Sequence, residues 1–159
     1  MPTTLQATTI HDVLLAIVAA IGSGVPYTVF DGHPSKRPSR GVQKYLVIGA
    51  QELEDTAETG FSQSASMQQQ WKGLGAVARE ETVTIYCVAV GISTSISGAR
   101  SNANDVLNDV TTNLPLKPTS NTYNALIDQV GAVKSRNLQG GAMAQIEFTI
   151  TAEARITNA

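Results

Sequence analysis

The chain has 159 residues, 42% of them hydrophobic and only 15% charged, with a formal net charge of -2. That length favours one domain with a real core, and that composition excludes a disordered chain and a coiled coil. Aromatics at 5% and the lack of a global basic field argue against a binder that stacks sugars or bases or grips a phosphate backbone.

Residues 1–7 read as a loose arm. Thr9 is a candidate helix cap, with Asp12 three residues on as a weak capping box. Ile10, Val13, Leu14, Ile17, Val18 and Ile21 then recur at helical spacing until Gly22 and Gly24. This predicts an amphipathic helix. The apolar run Val13 to Ile21 has no basic stretch before it and is too short to span a bilayer, so a soluble intracellular product is expected.

Tyr27 to Phe30 predicts a short strand closed by Asp31-Gly32. The segment from Gly32 to Lys44 has no periodicity and holds the one basic cluster, Lys36, Arg37, Arg40 and Lys44. Tyr45 to Ala50 predicts a buried strand. An acidic loop follows with Glu52, Glu54, Asp55 and Glu58. Ser62 to Trp71 alternates weakly and predicts a polar strand. Gly73 and Gly75 then mark a hairpin turn.

The next strand, about Glu81 to Ile92, is the most informative stretch. One face carries Val83, Ile85, Cys87 and Ala89; the other carries Thr84, Tyr86, Val88, Val90 and Ile92. A strand with one solvent face alternates apolar and polar. From Tyr86 onward both faces here are apolar, so both want cover. Two readings stand: a second copy of the chain or a partner covers Val88, Val90 and Ile92, or this is a central strand of a sheet covered on both sides.

Ser97 or Ser101 is a candidate cap for a second helix, with Ala103, Val106, Leu107, Val110 and Leu114 as its buried stripe and Pro115 as its stop. Tyr123 to Lys134 fits helix or strand; it is read as strand because a turn at Asn137 to Gly141 and a further strand follow. In that last strand Ala144, Ile146, Phe148, Ile150, Ala152, Ala154 and Ile156 alternate with Gln145, Glu147, Thr149, Thr151, Glu153 and Arg155. The expected fold is α+β: a mainly antiparallel sheet packed by two helices, as a single domain over 1–159.

Chemistry is sparse. Catalysis by Cys87 would need a histidine in reach, and only His11 and His33 exist. A lone strand cysteine is more often a small buried apolar residue. The acidic loop has neither a histidine nor EF-hand spacing, and reads as a solvated loop or a surface facing a partner. The basic loop lacks interleaved aromatics, which leaves solvation or a salt-bridging arm to a neighbour ahead of nucleic-acid binding. No phosphate-cradling loop and no metal-ligand spacing are present in the sequence, so no enzyme, cofactor or metal is expected.

The ordered set of segments resembles a known family. A first helix is followed by Val29-Phe30-Asp31-Gly32-His33-Pro34, then by an apolar strand ending in Gly49. Trp71, Gly73, Leu74 and Gly75 precede Arg79 and Glu81 and an alternating strand through Ile85 and Cys87; a second helix and a strand ending Ala154-Arg155-Ile156 close the chain. This is similar to the tail terminator (tail completion) proteins of long-tailed bacteriophages, over roughly residues 9 to 156. The basic loop and the asparagines of the second helix (Asn102, Asn104, Asn108, Asn113) depart from the family pattern. The resemblance implies a virion subunit of the tail and neck, assembled in the host cytoplasm into a six-fold ring. That ring would cap the tail tube, stop its growth and present a surface to the head connector, while DNA passes its lumen without specific binding. Its partners would be further copies of itself, the tail tube protein and the head connector or stopper, with no membrane. Lys36, Arg37, Arg40, Glu52, Glu54, Asp55, Glu58, Val88, Val90 and Ile92 are the expected contact residues between subunits or partners. A head-completion protein of the same connector is the alternative, with a small nucleic-acid-binding module behind it.

Overall fold

A computed structural model describes residues 10–32, 41–50, 63–71, 78–114 and 123–157 of the chain. Two helices and six strands occur among them, in the order α1 (Ile10–Gly24), β1 (Val29–Asp31), β2 (Lys44–Ile48), β3 (Ala65–Trp71), β4 (Ala78–Ser93), α2 (Ile96–Asn113), β5 (Tyr123–Leu138) and β6 (Gly141–Thr157). All six strands join one sheet, and the fold is α+β as the patterning predicts.

The spine of the sheet is β4. Along one edge it pairs with β6 over its whole length, from Ala78↔Thr157 to Ser93↔Ala142. Its other edge is shared. The first half pairs with β3, from Trp71↔Arg79 to Ala65↔Ile85, and the second half pairs with β2, from Ile48↔Cys87 to Lys44↔Gly91. Tyr86 is the junction: its amide donates to Ser64 O, and its carbonyl accepts from Gly49 N and Ala50 N. β1 lies outside β2 and runs parallel to it, an exception to the expected antiparallel order. β5 lies outside β6, joined to it by a turn in which Gly140 takes φ +83, a region only glycine enters freely. The pairing of β5 slips between Ile127 and Gln129 and again between Val130 and Val133, so two β-bulges bend this strand.

Both helices lie on one face. α1 packs by β1, β3 and the adjoining part of β4; α2 packs on β4 and β6 and reaches β5. Val13, Ile17 and Ile21 are the buried stripe of α1, with Ile10, Leu14 and Val18 packed beside them. The expected cap Thr9 lies outside the described residues. In α2 the cap is Ser95, whose Oγ accepts from Gly98 N at 3.1 Å, rather than Ser97 or Ser101. Starting two residues earlier adds Ala99 to the stripe of Ala103, Val106 and Val110. Small residues there let the helix come close. A Cβ at Gly91 would fall onto Ala99 O, Ala103 N and Asn102 Cβ, so α2 touches the backbone of β4. Asn102 Nδ2 also donates to Ile92 O at 2.8 Å, which ties α2 to the end of β4.

The main core holds the helix stripes with Val83, Ile85, Cys87 and Ala89 of β4 and the inward side of β6 from Ala142 to Ala154. That alternation in β6 follows the sequence pattern. A second, smaller cluster occupies the other face of the sheet.

Candidate interaction surfaces

The second cluster is where the doubly apolar strand resolves. Val88 and Val90 are 0% exposed, packed with Tyr45, Val47, Ala50 and Met143, and flanked by Phe30, Val42 and Ile92. The Phe30 and Tyr45 rings meet edge to face at 5.7 Å and 87°. The expectation that Val88 and Val90 present an apolar face to a second copy is corrected: they have no surface to present. The chain covers this end of β4 itself, as a central strand requires. Only Ile92 keeps partial exposure.

The other expected contact residues, Lys36, Arg37, Arg40, Glu52, Glu54, Asp55 and Glu58, lie outside the described residues. The points where their segments leave the sheet are described. Asp31 pairs with Ile48, and Gly32 N donates to Ile48 O at 2.7 Å. The basic and acidic segments therefore start from the same end of the parallel β1–β2 pair. Lys44, at the end of the basic segment, is bound to α2 through Asp105 at 3.2 Å.

Among the described residues, the large apolar side chains that remain exposed are elsewhere. Leu126 (55%), Val130 (48%), Val133 (55%) and Leu138 all lie on β5, Met67 on β3, and Leu15 on α1. Their pairings fix their faces: Met67 opposes Val83, Val130 opposes Phe148 and Val133 opposes Ile146, which places all three on the helix side. α2 reaches β5 at Ser135, whose hydroxyl accepts from Arg100 at 3.3 Å, and Val130 and Val133 stay exposed. Leu126 opposes Thr151 on the other side. The sequence signal for this was present in Leu126, Val130 and Val133, but without the bulges no period assigns them to a face.

The helix-free face below the second cluster is polar. Thr82, Thr84 and Tyr86 of β4 sit beside Glu153, Thr151 and Thr149 of β6. Lys134 Nζ meets Glu147 Oε1 at 2.9 Å across β5 and β6. A hollow of about 190 Å³ opens at the bulges of β5, lined by Tyr86, Cys87, Gln129, Gly131, Glu147, Phe148 and Thr149. Nothing in it pairs a nucleophile with a base. Cys87 is fully buried, and burial drives its thiol far above the ordinary range, so it stays an inert apolar side chain.

One charged residue was missed by sequence reasoning. Glu81 is 0% exposed on the helix side of β4, and its carboxylate accepts from Gln69 Nε2 at 2.6 Å. Its odd number, shared with Val83 and Ile85, was the available signal. Among the described residues, no three His, Cys, Asp or Glu side chains gather where they could hold a metal ion. Likewise no helix among them is long and apolar enough to cross a membrane. Compared with protein families and with curated proteins, the chain matches no family model and no curated sequence.

Proposed function

We propose that this chain is a structural subunit of a closed homo-oligomeric ring, the tail terminator of a long-tailed bacteriophage. The observation that carries the ring is the placement of exposed apolar surface. It concentrates at the two sides of one sheet, on β5 and on β3, rather than around a cleft. A subunit sticky on two different sides repeats head to tail, and such a contact closes into a ring when the rotation permits. The tail assignment rests on the ordered segments that resemble tail terminators, of which β1 with Asp31-Gly32, β2 with Gly49, the β3–β4 pair and the closing β6 occur in the same order. In this role the ring sits in the virion neck. One end of it meets the tail tube and stops its growth, and the other meets the head connector. DNA crosses its lumen without specific binding. The work is geometric and calls on no catalytic residue.

Electron microscopy tests the reading directly. Virions or tails carrying an epitope-tagged copy should show label only at the head-proximal end of the tail, and phage lacking the chain should make tubes of uncontrolled length. Label on tail-free heads would instead assign the chain to head completion. Label at neither place would end both assignments.

A further inference from the structure

We infer that β5 of one copy adds to the outer edge of β3 of the next, antiparallel, so that the sheet continues from subunit to subunit. This deepens the ring reading and rests on it only for closure. Three observations carry it. Among the described residues β5 pairs only with β6, and β3 only with β4, so each has an outer edge of backbone donors and acceptors that no other described strand fills. Such edges are templates for another strand. Second, their directions match. β3 and β6 both run opposite to β4, and β5 runs opposite to β6, so β5 is antiparallel to β3. Rotation about an axis along the strands keeps these directions and continues an antiparallel sheet.

The third observation is shape. One side of the sheet has a step: β3 ends at Ala65, level with Ile85, and beyond Tyr86 its place is taken by β2, with β1 one strand farther out. The opposite side has a bend at the same height. Ile127 is level with Ile150 and Ile85; the first bulge of β5 follows at once, before the level of Tyr86, and the second lies between the levels of Cys87 and Ala89, level with β2 and β1. The regular segment from Tyr123 to Ile127 is level with β3, and the bent remainder is level with the β1 projection. A bend therefore meets a step with no shift along the strands. The exposed apolar residues fit the same contact. Of the six among the described residues, five, Met67 and the four on β5, lie at these two edges, and the sixth, Leu15, is on α1, which packs by β1 and β3.

Size sets the character of the contact. β5 has 16 residues, so its edge is about 50 Å long, and a sheet is about 10 Å thick. The strip is about 500 Å² per partner, short of the roughly 800 Å² typical of a stable pair. One contact is weak alone, and closure, which gives every copy two, holds the assembly. The occupant is a second copy because only a chain carrying both the bend and the step satisfies both sides.

Disulfide trapping tests this in the full chain. With no shift, Ser66 and Leu126 share a level, both in line with Thr84 and Thr151, on the helix-free face. Adjacent antiparallel positions lie within disulfide reach. Both face outward, and Cys87 is buried, so it takes no part. The S66C/L126C variant, oxidised under mild conditions, should give a ladder of covalent oligomers, and each single variant should stop at a dimer. The melting midpoint of all three should stay near that of the unaltered chain. A folded double variant that yields no species beyond dimer overturns the pairing. Electron micrographs of the unaltered protein separate the two readings: rings without a ladder sink the edge pairing alone, and a ladder with open filaments sinks the ring alone.

Discussion

Phe148 is 3% exposed on the helix side of β6, in the core that Leu14 of α1 and Leu107 of α2 pack against. Phe148→Ala should cost about 3–5 kcal/mol, read as a lower denaturation midpoint at unchanged slope. Gly91 works in the opposite sense. Adding a methyl group there pushes Ala99 and Ala103 of α2 off the strand, so Gly91→Ala should cost about 1–3 kcal/mol although it adds apolar bulk. Sequence alone gave no hint of this, since a glycine in a strand signals a bulge as readily as a helix contact. Tyr27 makes a third residue test. Its hydroxyl donates to Asp109 Oδ2 at 2.7 Å and joins the start of β1 to α2. Burial, then that hydrogen bond, then the charges of Asp109 and Asp105 raise its pKa well above the ordinary 10.0. A folded value above the unfolded one means the contribution is complete below pH 10 and fades as pH rises beyond it. Tyr27→Phe should cost about 1 kcal/mol at neutral pH, modest because the site is half exposed. The gap between variant and parent, followed by thermal melts, should narrow above pH 10.

Among the elements, β4 and β6 were legible because their alternation is long and each inward residue lands in a real core. α1 was legible for the same reason at helical period. What sequence left open in β4 was who covers Val88 and Val90, because a two-sided apolar strand reads alike whether its second cover is a partner or its own chain. The register answers through distant residues, Tyr45 and Val47 of β2 and Met143 of β6, that no local pattern links to Val90. A test of assembly by Val90→Lys would therefore mislead. Lysine at a 0% exposed position should cost about 4 kcal/mol or more, through its desolvated ammonium and disrupted packing, and the chain should lose its melting transition before any question of rings arises. The surface-exposed counterpart is Leu126→Lys, which should keep the parent melting midpoint and lose association in sedimentation. β5 was recognisable as a strand but not as a bent one. Gly131, which lies within the second bulge, was its only local mark.

For the whole molecule the open question is what the two charged segments do. The ring reading places opposite charges between neighbours, with the basic segment of one copy meeting the acidic segment of the next and fixing register. The fold adds a competing geometry, because both segments leave the sheet at the level of Asp31 and Ile48, within one subunit. The two arrangements separate by their dependence on protein concentration. If the pairing is between copies, reversing Lys36, Arg37 and Arg40 to glutamate should weaken association at low salt by about tenfold or more for each 1.4 kcal/mol of lost attraction, and leave the monomer's melting midpoint unchanged. Reversing Glu52, Glu54, Asp55 and Glu58 to lysine in the same chain should restore association, and so should mixing the two singly reversed proteins, because in an alternating ring every contact sets a negative segment against a positive one. If the pairing is internal, the first reversal should instead lower the monomer's midpoint at every concentration, and the double reversal should recover it. Raising salt should shrink either effect, since exposed charges farther apart than about 10 Å are screened at 0.1 M. A reversed basic segment that changes neither melting nor sedimentation would leave both segments as solvated loops, and the edges of β3 and β5 as the seat of assembly.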